Sequence, residues 1–254
     1  MEKPNEKSKK IIIISSISAA IVLVAIVFLV LGLTVWSKKE KPKTTAEWLN
    51  DFSASLAFDK DNANQKFEKR ILITESEIVV ADYYALVEVH AQEQGVVGHI
   101  QIIEKYPSLD TEEFDTHDEY YFINDRMYMR RESNGESVQT SFASTWETFW
   151  AIPDDMFGKY AFEEGNFSAI RIERADDHTA LHAEIGEETK RAFFKDNTNA
   201  DKISDATIDM EVDSALALKR FALHYSLKDT QTVSNIITRG VAETIQIKEF
   251  VGLA

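Results

Sequence analysis

Residues 11–36 form a run of 26 residues without a charged side chain, and four lysines lie on each side of it. As an α-helix this run would be about 39 Å long, whereas the hydrocarbon layer of a bilayer is about 30 Å thick. The run is therefore long enough to cross a membrane with some tilt. It predicts a single transmembrane helix.

A cleaved signal peptide is the alternative interpretation of this run. A secretory signal has only about 7–15 apolar residues and ends at a cleavage site with small residues. The run is longer, and residues 33–38 contain no Ala-x-Ala site. Trp36, at its end, is typical of an aromatic anchor at the membrane interface. We therefore expect an uncleaved signal anchor, with the lipid bilayer as its partner.

The lysines do not decide the orientation, because equal numbers precede and follow the apolar run. Only the α-amino group tips the positive-inside count towards a cytoplasmic N-terminus. On this basis residues 1–10 are a cytoplasmic tail, 11–36 the transmembrane anchor, 37–44 a charged spacer and 45–254 an extracytoplasmic domain. The expected location is the cell membrane, with a single pass.

The part of the chain after the anchor is strongly acidic. Residues 44–254 hold 20 Lys and Arg against 40 Asp and Glu, a formal net charge of −20. Such a domain repels phosphate backbones, so we do not expect it to bind nucleic acid. The chain has no cysteine. Disulfides, thiolate metal sites and a lipid-modified cysteine are therefore excluded, and the domain must depend on its hydrophobic core.

Apolar and polar residues alternate along most of this domain. Residues 206–213 and 220–227 are the clearest cases, with every second residue apolar. This period of two is typical of an antiparallel sheet with one covered face. Turn signals separate the runs: Asn134-Gly135 favours a two-residue hairpin turn, and Asn124-Asp125 and Asp176-Asp177 are weaker versions.

The pattern predicts an α+β fold, a single domain with one large curved antiparallel sheet covered by two or three helices. One helix is predicted over about 45–57, since Thr44 and Glu47 form a capping-box pattern, and another from Ser144 to about Tyr160, interrupted at Pro153. Strands are predicted near 66–74, 84–92, 97–105, 118–123, 126–132, 136–142, 167–175, 179–186, 188–195, 205–213, 216–228 and 236–249.

Motifs for catalysis or metal binding are not found. His178 and His182 lie on a predicted strand, where residues four apart are separated by about 13 Å, so we expect surface histidines and no zinc pair. Residues 59–64 resemble the start of a calcium loop but lack its later ligands. Asn166-Phe167-Ser168 satisfies the N-glycosylation sequence. We therefore assign no catalytic residue, metal ligand or cofactor.

Five aromatic residues follow helical spacing on the two predicted helices: Trp48, Phe52, Trp146, Trp150 and Phe157. The ordinary interpretation is that these side chains pack on the sheet as core. The functional interpretation is that sheet and helices enclose an apolar cavity and that these rings line its mouth as contacts for a hydrophobic ligand.

The order of elements resembles a known family. A helix, a long antiparallel meander, the Tyr120–Tyr128 hairpin, an aromatic helix and three closing strands from Ala206 are similar to the half-barrel of LolA/LppX-type bacterial lipoproteins. In that group helices plug a curved sheet, and members of known function hold lipids or lipoproteins. The resemblance covers about residues 45–250. It departs from the group in having a predicted transmembrane anchor in place of a lipid-modified cysteine.

Three hypotheses for function follow. The resemblance implies a membrane-anchored module that binds a lipid or another hydrophobic ligand. The alternative is a protein-interaction or regulatory ectodomain of the cell envelope, with a filled interior and an outer face for another envelope protein. An enzyme of unrecognised type is the third, and a cluster of perturbed carboxylates or histidines in a cleft would favour it.

Overall fold

The computed structural model of the chain describes residues 42–93, 95–109, 111–157, 160–195, 200–227, 230–242 and 244–247. The chain divides into two units, Met1–Lys43 and Thr44–Ala254. The predicted tail, anchor and most of the spacer, residues 1–41, lie outside the described residues. Within the described ranges, no helix has the length and apolar character needed to span a membrane.

The described residues form one antiparallel sheet of eleven strands. The strands are β1 Asn64–Glu75, β2 Ile78–Gln92, β3 Gly95–Lys105, β4 Thr116–Ile123, β5 Arg126–Ser133, β6 Glu136–Ala143, β7 Phe167–Arg174, β8 His178–Ile185, β9 Ile203–Asp213, β10 Leu218–Leu227 and β11 Gln231–Gly240. Their order across the sheet is β6-β5-β4-β3-β2-β1-β11-β10-β9-β8-β7. The predicted curved antiparallel sheet of an α+β half-barrel is confirmed.

The topology joins two meanders at the centre of the sheet. β1 to β6 extend in chain order to one edge, while β7 forms the other edge and β8 to β11 return to the middle. There β11 pairs with β1, with Lys69 opposite Ile237 and Ile71 opposite Asn235. The connection from β6 to β7 must therefore pass from one edge of the sheet to the other. This connection carries the second helix.

Tight turns connect the first strands. Asn124 and Asp125 have φ values of 49° and 58°, and Asn134 and Gly135 have values of 53° and 73°. Positive φ at both central residues is typical of the hairpin turn predicted at these two sites. A third turn of this kind, at Ser76 and Glu77 between β1 and β2 (51° and 68°), was not predicted, because it lacks the Asn-Gly or Asp-Gly pair that favours this turn.

The first helix, α1, spans Thr45–Ser55 and begins as predicted. The backbone N–H of Glu47 donates to Thr44 Oγ1 at 3.2 Å, and the backbone N–H of Thr44 donates to Glu47 Oε2 at 2.7 Å. This reciprocal pair satisfies two amide groups at the helix start that have no partner within the helix.

The second helix, α2, spans Trp146–Met156, and the predicted interruption at Pro153 is wrong. Pro153 lies inside the helix, and its carbonyl accepts a hydrogen bond from the backbone N–H of Phe157 at 3.1 Å. The proline removes one backbone hydrogen bond from the helix. Burial of Phe149 and Trp150 against the sheet offsets that loss.

Two predicted strands differ from the structure. The segment predicted as a strand over 188–195 holds a short helix, α3 (Lys190–Phe193). Phe193 and Phe194 are adjacent and both buried, which an alternating strand with one dry face does not allow. The last strand begins earlier than predicted and ends at Gly240. Residues 244–247, predicted as strand, have no regular structure.

The core lies between the helices and one face of the sheet, called here the inner face. On β9 the apolar residues predicted to share a face, Ala206, Ile208, Met210 and Val212, are all buried, and each alternate residue between them is more exposed. All described helices and strands lie in the unit Thr44–Ala254. This unit therefore contains a complete core of its own, as a domain that folds independently requires.

Candidate functional site

The five aromatic residues predicted to contact a ligand lie mostly in the packed core. Their exposed fractions are 8% for Trp48, 0% for Phe52, 1% for Trp150 and 5% for Phe157, while Trp146 is half-buried. Four of these rings therefore reach a ligand only if a helix moves, and Trp146 is the one that already borders open space.

The structure brings three of the five rings into one cluster. Trp146 and Trp150 have ring centroids 5.7 Å apart, and Phe58 links Trp150, at 5.2 Å, to Phe157, at 5.0 Å. Sequence reasoning missed Phe58 because it follows α1 in an irregular segment, where no periodicity indicates burial. Trp48, on α1, instead lies under the guanidinium of Arg174, at 5.4 Å from its ring centroid.

An open groove lies at the start of α2. It has a volume of about 390 Å³ and is lined by residues 60–63, Val96, Phe122 and Trp146. The Lys60 Nζ group pairs with Asp154 Oδ2 at 2.7 Å, which holds the 60–63 loop against α2. The volume is within the range of about 300–1,000 Å³ that is common for small-molecule sites.

The inner face of the sheet continues from this groove towards the edge strand β6. Phe122 pairs with Met127, and Met127 pairs with Phe142, so these three side chains form one row across β4, β5 and β6. Phe142 is 44% exposed, and Val138, on the same face of β6, is 63% exposed. Tyr120 and Met129 are half-buried between them and the helices. The apolar inner face is therefore only partly covered.

Two polar side chains are buried on the inner face where β1 meets β11. Lys69 is 7% exposed and Asn235 is 4% exposed. Lys69 Nζ donates to the backbone carbonyl of Met156 at the end of α2, and burial lowers the pKa of Lys69 to about 8. Neither residue was predicted as functional, because sequence pattern does not show that a lysine in a strand points inwards.

Asn235 is bound to a tyrosine from the segment after α2. Its Nδ2 donates to the hydroxyl of Tyr160 at 2.9 Å, while its Oδ1 is buried without a hydrogen-bond partner. Burial raises the pKa of Tyr160 well above its usual range, and the nearby Tyr225 raises it further. The tyrosine hydroxyl is therefore neutral at physiological pH and can either donate or accept a hydrogen bond.

The two motifs considered for metal binding have other hydrogen-bond partners for their side chains. His178 and His182 lie on β8, and their Nδ1 atoms are bound to different carboxylates, Asp177 at 2.7 Å and Asp209 at 2.8 Å. In residues 59–64, side-chain oxygens of Asp59 and Asn62 accept hydrogen bonds from the loop's own backbone. Within the described ranges, no group of three or more carboxylates and histidines is arranged to hold a metal ion.

The asparagine of the glycosylation sequence is buried. Asn166 Nδ2 donates to the carbonyl of Ala161 at 3.0 Å, and the carbonyl of Asn166 accepts from the backbone N–H of Gly186 and from Thr189 Oγ1. The side chain joins the start of β7 to the segment after α2, and the main-chain carbonyl joins it to the loop that precedes α3. Its role in the folded domain is structural.

No protein-family model and no curated protein matches this sequence. Among solved structures, the chain is similar to a LolA superfamily protein from Nitrosomonas europaea, with 10% identity, a TM-score of 0.28 and coverage of 80% of this chain and 96% of that one. It is also similar to a DUF1329 family protein from Desulfovibrio piger, with 10% identity, a TM-score of 0.27 and coverage of 84% and 96%.

The group that the sequence resembles is thus found again in the structural comparison. At these scores, no ligand, activity or residue role is carried over from either protein. The function is inferred from the residues of this chain.

Proposed function

We propose that the chain is a membrane-anchored module that holds a hydrophobic ligand on the inner face of its half-barrel. The observation that carries this proposal is the incompletely covered apolar surface, which runs from the groove at Trp146 through Phe122 and Met127 to Phe142 on β6. Exposed apolar side chains that are contiguous and lie on a concave face are typical of a binding site.

In this proposal Trp146 is the first aromatic contact of the ligand. Trp48, Phe52, Trp150 and Phe157 are the wall behind it, and a ligand reaches them when α2 or α1 shifts away from the sheet. Phe122 and Phe142 extend the contact surface across β4 and β6.

The predicted anchor places this module beside a membrane. Residues 11–36 hold the chain in the bilayer, with residues 1–10 in the cytoplasm and the domain on the extracytoplasmic side. The net charge of −20 in residues 44–254 favours a neutral or zwitterionic surface over an anionic one. The ligand is therefore taken up next to the membrane, and a permanently anchored module does not carry it freely between membranes.

Native mass spectrometry with lipid extraction tests the proposal. Residues 44–254, produced without the anchor, are expected to carry a stoichiometric apolar ligand or to take one up from a lipid extract. The Trp146→Ala variant is expected to retain less. If the purified domain has only its protein mass and takes up no fluorescent fatty acid, the ligand-binding function is wrong.

A protein-interaction ectodomain is the second candidate. The packed aromatic core under the helices favours it, as does the exposed edge strand β6 with Val138 and Phe142. An edge strand offers unpaired backbone groups to which a strand of another protein can add. A domain that takes up no ligand, but whose binding to an identified envelope protein is lost on Val138→Lys substitution, would establish this function instead.

A further inference from the structure

We infer that Lys69 and Asn235 form a polar subsite on the inner face that receives the acidic headgroup of a long-chain acyl ligand. The inference rests on the proposed function and adds a chemical class to it, a fatty acid or another lipid with a single carboxylate. Its first support is position, because both residues point to the face on which the ligand is proposed to lie.

The strand register places the two side chains next to each other. Lys69 pairs with Ile237 and Ile71 pairs with Asn235, so Lys69 and Asn235 are diagonal neighbours on adjacent antiparallel strands. Diagonal neighbours on one face are roughly 7–8 Å apart, a separation that one headgroup can bridge. Both residues lie at the centre of the sheet and away from bulk water.

The two side chains have unused hydrogen-bonding capacity. A lysine ammonium has three donors, and one of them is directed to the carbonyl of Met156. Asn235 Oδ1 has no partner. If the amide turns by half a rotation, Tyr160 donates to Oδ1 and the Nδ2 group faces the headgroup. Asn235 can therefore form a hydrogen bond with a carboxylate or with a hydroxyl, whereas the charge of Lys69 favours a carboxylate.

The charge of Lys69 is not balanced within the part of the domain that is described. Among the described side chains, no carboxylate pairs with Lys69. Across the sheet the register runs from Lys69 through Ala85 and Ile102 to Asp118, three strands and roughly 14 Å away. Asp118 is itself engaged by Arg131, whose Nε donates to its Oδ1 at 2.8 Å. A buried cation without a counter-ion is costly, and an anionic ligand removes that cost.

The inner face of strands β3 to β5 offers a path for the acyl chain. Ile102 lies two strands from Lys69, roughly 10 Å away, and is half-buried. The next positions in this row are Asp118 and Arg131, so the path continues on the neighbouring row, along the half-buried Tyr120 and Met129. A headgroup at Lys69 thus directs an apolar chain of considerable length onto the incompletely covered inner face.

Competition binding tests the inference. Hexadecanoic acid and hexadecan-1-ol, which have the same chain length, are each titrated against residues 44–254 loaded with the neutral dye Nile red. We expect the acid to bind at least about tenfold more tightly than the alcohol, as one hydrogen bond to a charged group provides. The Lys69→Met variant is expected to lose this preference while still binding the alcohol.

Two further variants control for folding and for general electrostatics. Lys66→Met removes a lysine from the outer face of the same strand, where it pairs with Glu68 at 3.0 Å, and should keep the preference for the acid. Lys69→Arg keeps the positive charge and should keep part of the preference for the acid. If Lys69→Met does not fold, this second variant still tests the inference.

The outcomes separate this inference from the function on which it rests. If the wild-type domain binds acid and alcohol equally, or if folded Lys69→Met keeps the preference, the headgroup subsite is wrong and the hydrophobic-ligand function stands. If neither compound displaces the dye or binds by native mass spectrometry, the proposed function itself fails.

Discussion

The ring of Phe149 on α2 lies so close to Gly98 on β3 that a Cβ atom at position 98 would be 2.6 Å from ring carbons Cε2 and Cζ. Phe149 is fully buried, so its ring has little space to move away. Gly98 therefore allows the helix to approach the sheet closely, and this contact sets the depth at which α2 lies over the inner face.

We predict that Gly98→Ala destabilises the domain by about 1–3 kcal/mol, because overpacking a filled core displaces buried side chains. Urea unfolding of residues 44–254 measures the effect. Gly240→Ala is the matched control in a strand, since a Cβ there meets no atom within 4 Å, and a change within about 0.5 kcal/mol is expected. Equal effects of the two substitutions would contradict this account of the contact.

The two tryptophans of α2 are predicted to have different roles. Trp150→Ala should cost about 3–5 kcal/mol in free energy of unfolding, because it leaves a large cavity in the core. Trp146→Ala should cost much less and instead weaken ligand uptake, because Trp146 borders the groove. Unfolding curves and Nile red binding of both variants separate the roles. A Trp146→Ala domain with unchanged uptake would remove Trp146 from the site.

Lys69 is predicted to reduce the stability of the ligand-free domain near neutral pH. Its pKa falls from 10.5 in the unfolded chain to about 8 in the folded domain, a difference equivalent to about 3 kcal/mol. Because the unfolded chain binds the proton more tightly, the wild-type free energy of unfolding should rise between pH 8 and pH 10.5. The free-energy cost of burying the protonated Lys69 side chain is fully present below pH 8.

The Lys69→Met variant provides the measurement. It should be more stable than the wild type near pH 7, and the difference should shrink as the pH rises towards 10.5, as followed by urea unfolding. A difference that does not change with pH would show that burial of the charge is not its cause. If the difference does shrink with rising pH, and Lys69 also binds the headgroup as proposed, the residue lowers the stability of the ligand-free domain but strengthens ligand binding.

Asn166 is predicted to be required for stability. Asn166→Ala leaves the buried carbonyl of Ala161 without its donor and should cost about 1–3 kcal/mol. Ser168→Ala also destroys the glycosylation sequence but changes an exposed side chain, so it should be nearly neutral. If both variants unfold at the same urea concentration as the wild type, Asn166 has no structural role.

The sequence predicted most strands well because one face of each strand packs in the core and the other faces water. In β9, from Ala206 to Asp213, buried and more exposed residues alternate, and this pattern is visible in the sequence alone. The prediction at 188–195 was wrong because Phe193 and Phe194 are both buried by contacts with distant elements, including Tyr160 and Tyr225. Burial of adjacent residues depends on packing that no local period describes.

The candidate site was predicted in part. The aromatic residues of the two helices were identified from their spacing, but whether a ring lines a groove or fills the core depends on how closely α2 approaches the sheet. Trp146 and Trp150 have equivalent local patterns, and the structure places one beside the groove and buries the other. Lys69 and Asn235 were not predicted at all, since their proximity arises only when β11 pairs with β1.

The sequence by itself determined the antiparallel sheet, the capped first helix, the hairpins at Asn124 and Asn134, and the apolar run at 11–36, because each depends on short-range periodicity or turn chemistry. Only the tertiary structure decided which aromatic rings are core, which apolar face stays partly open, and that Lys69 and Asn235 are neighbours on one face. Those properties depend on the pairing of strands about 165 residues apart in the chain, and local sequence carries no record of that pairing.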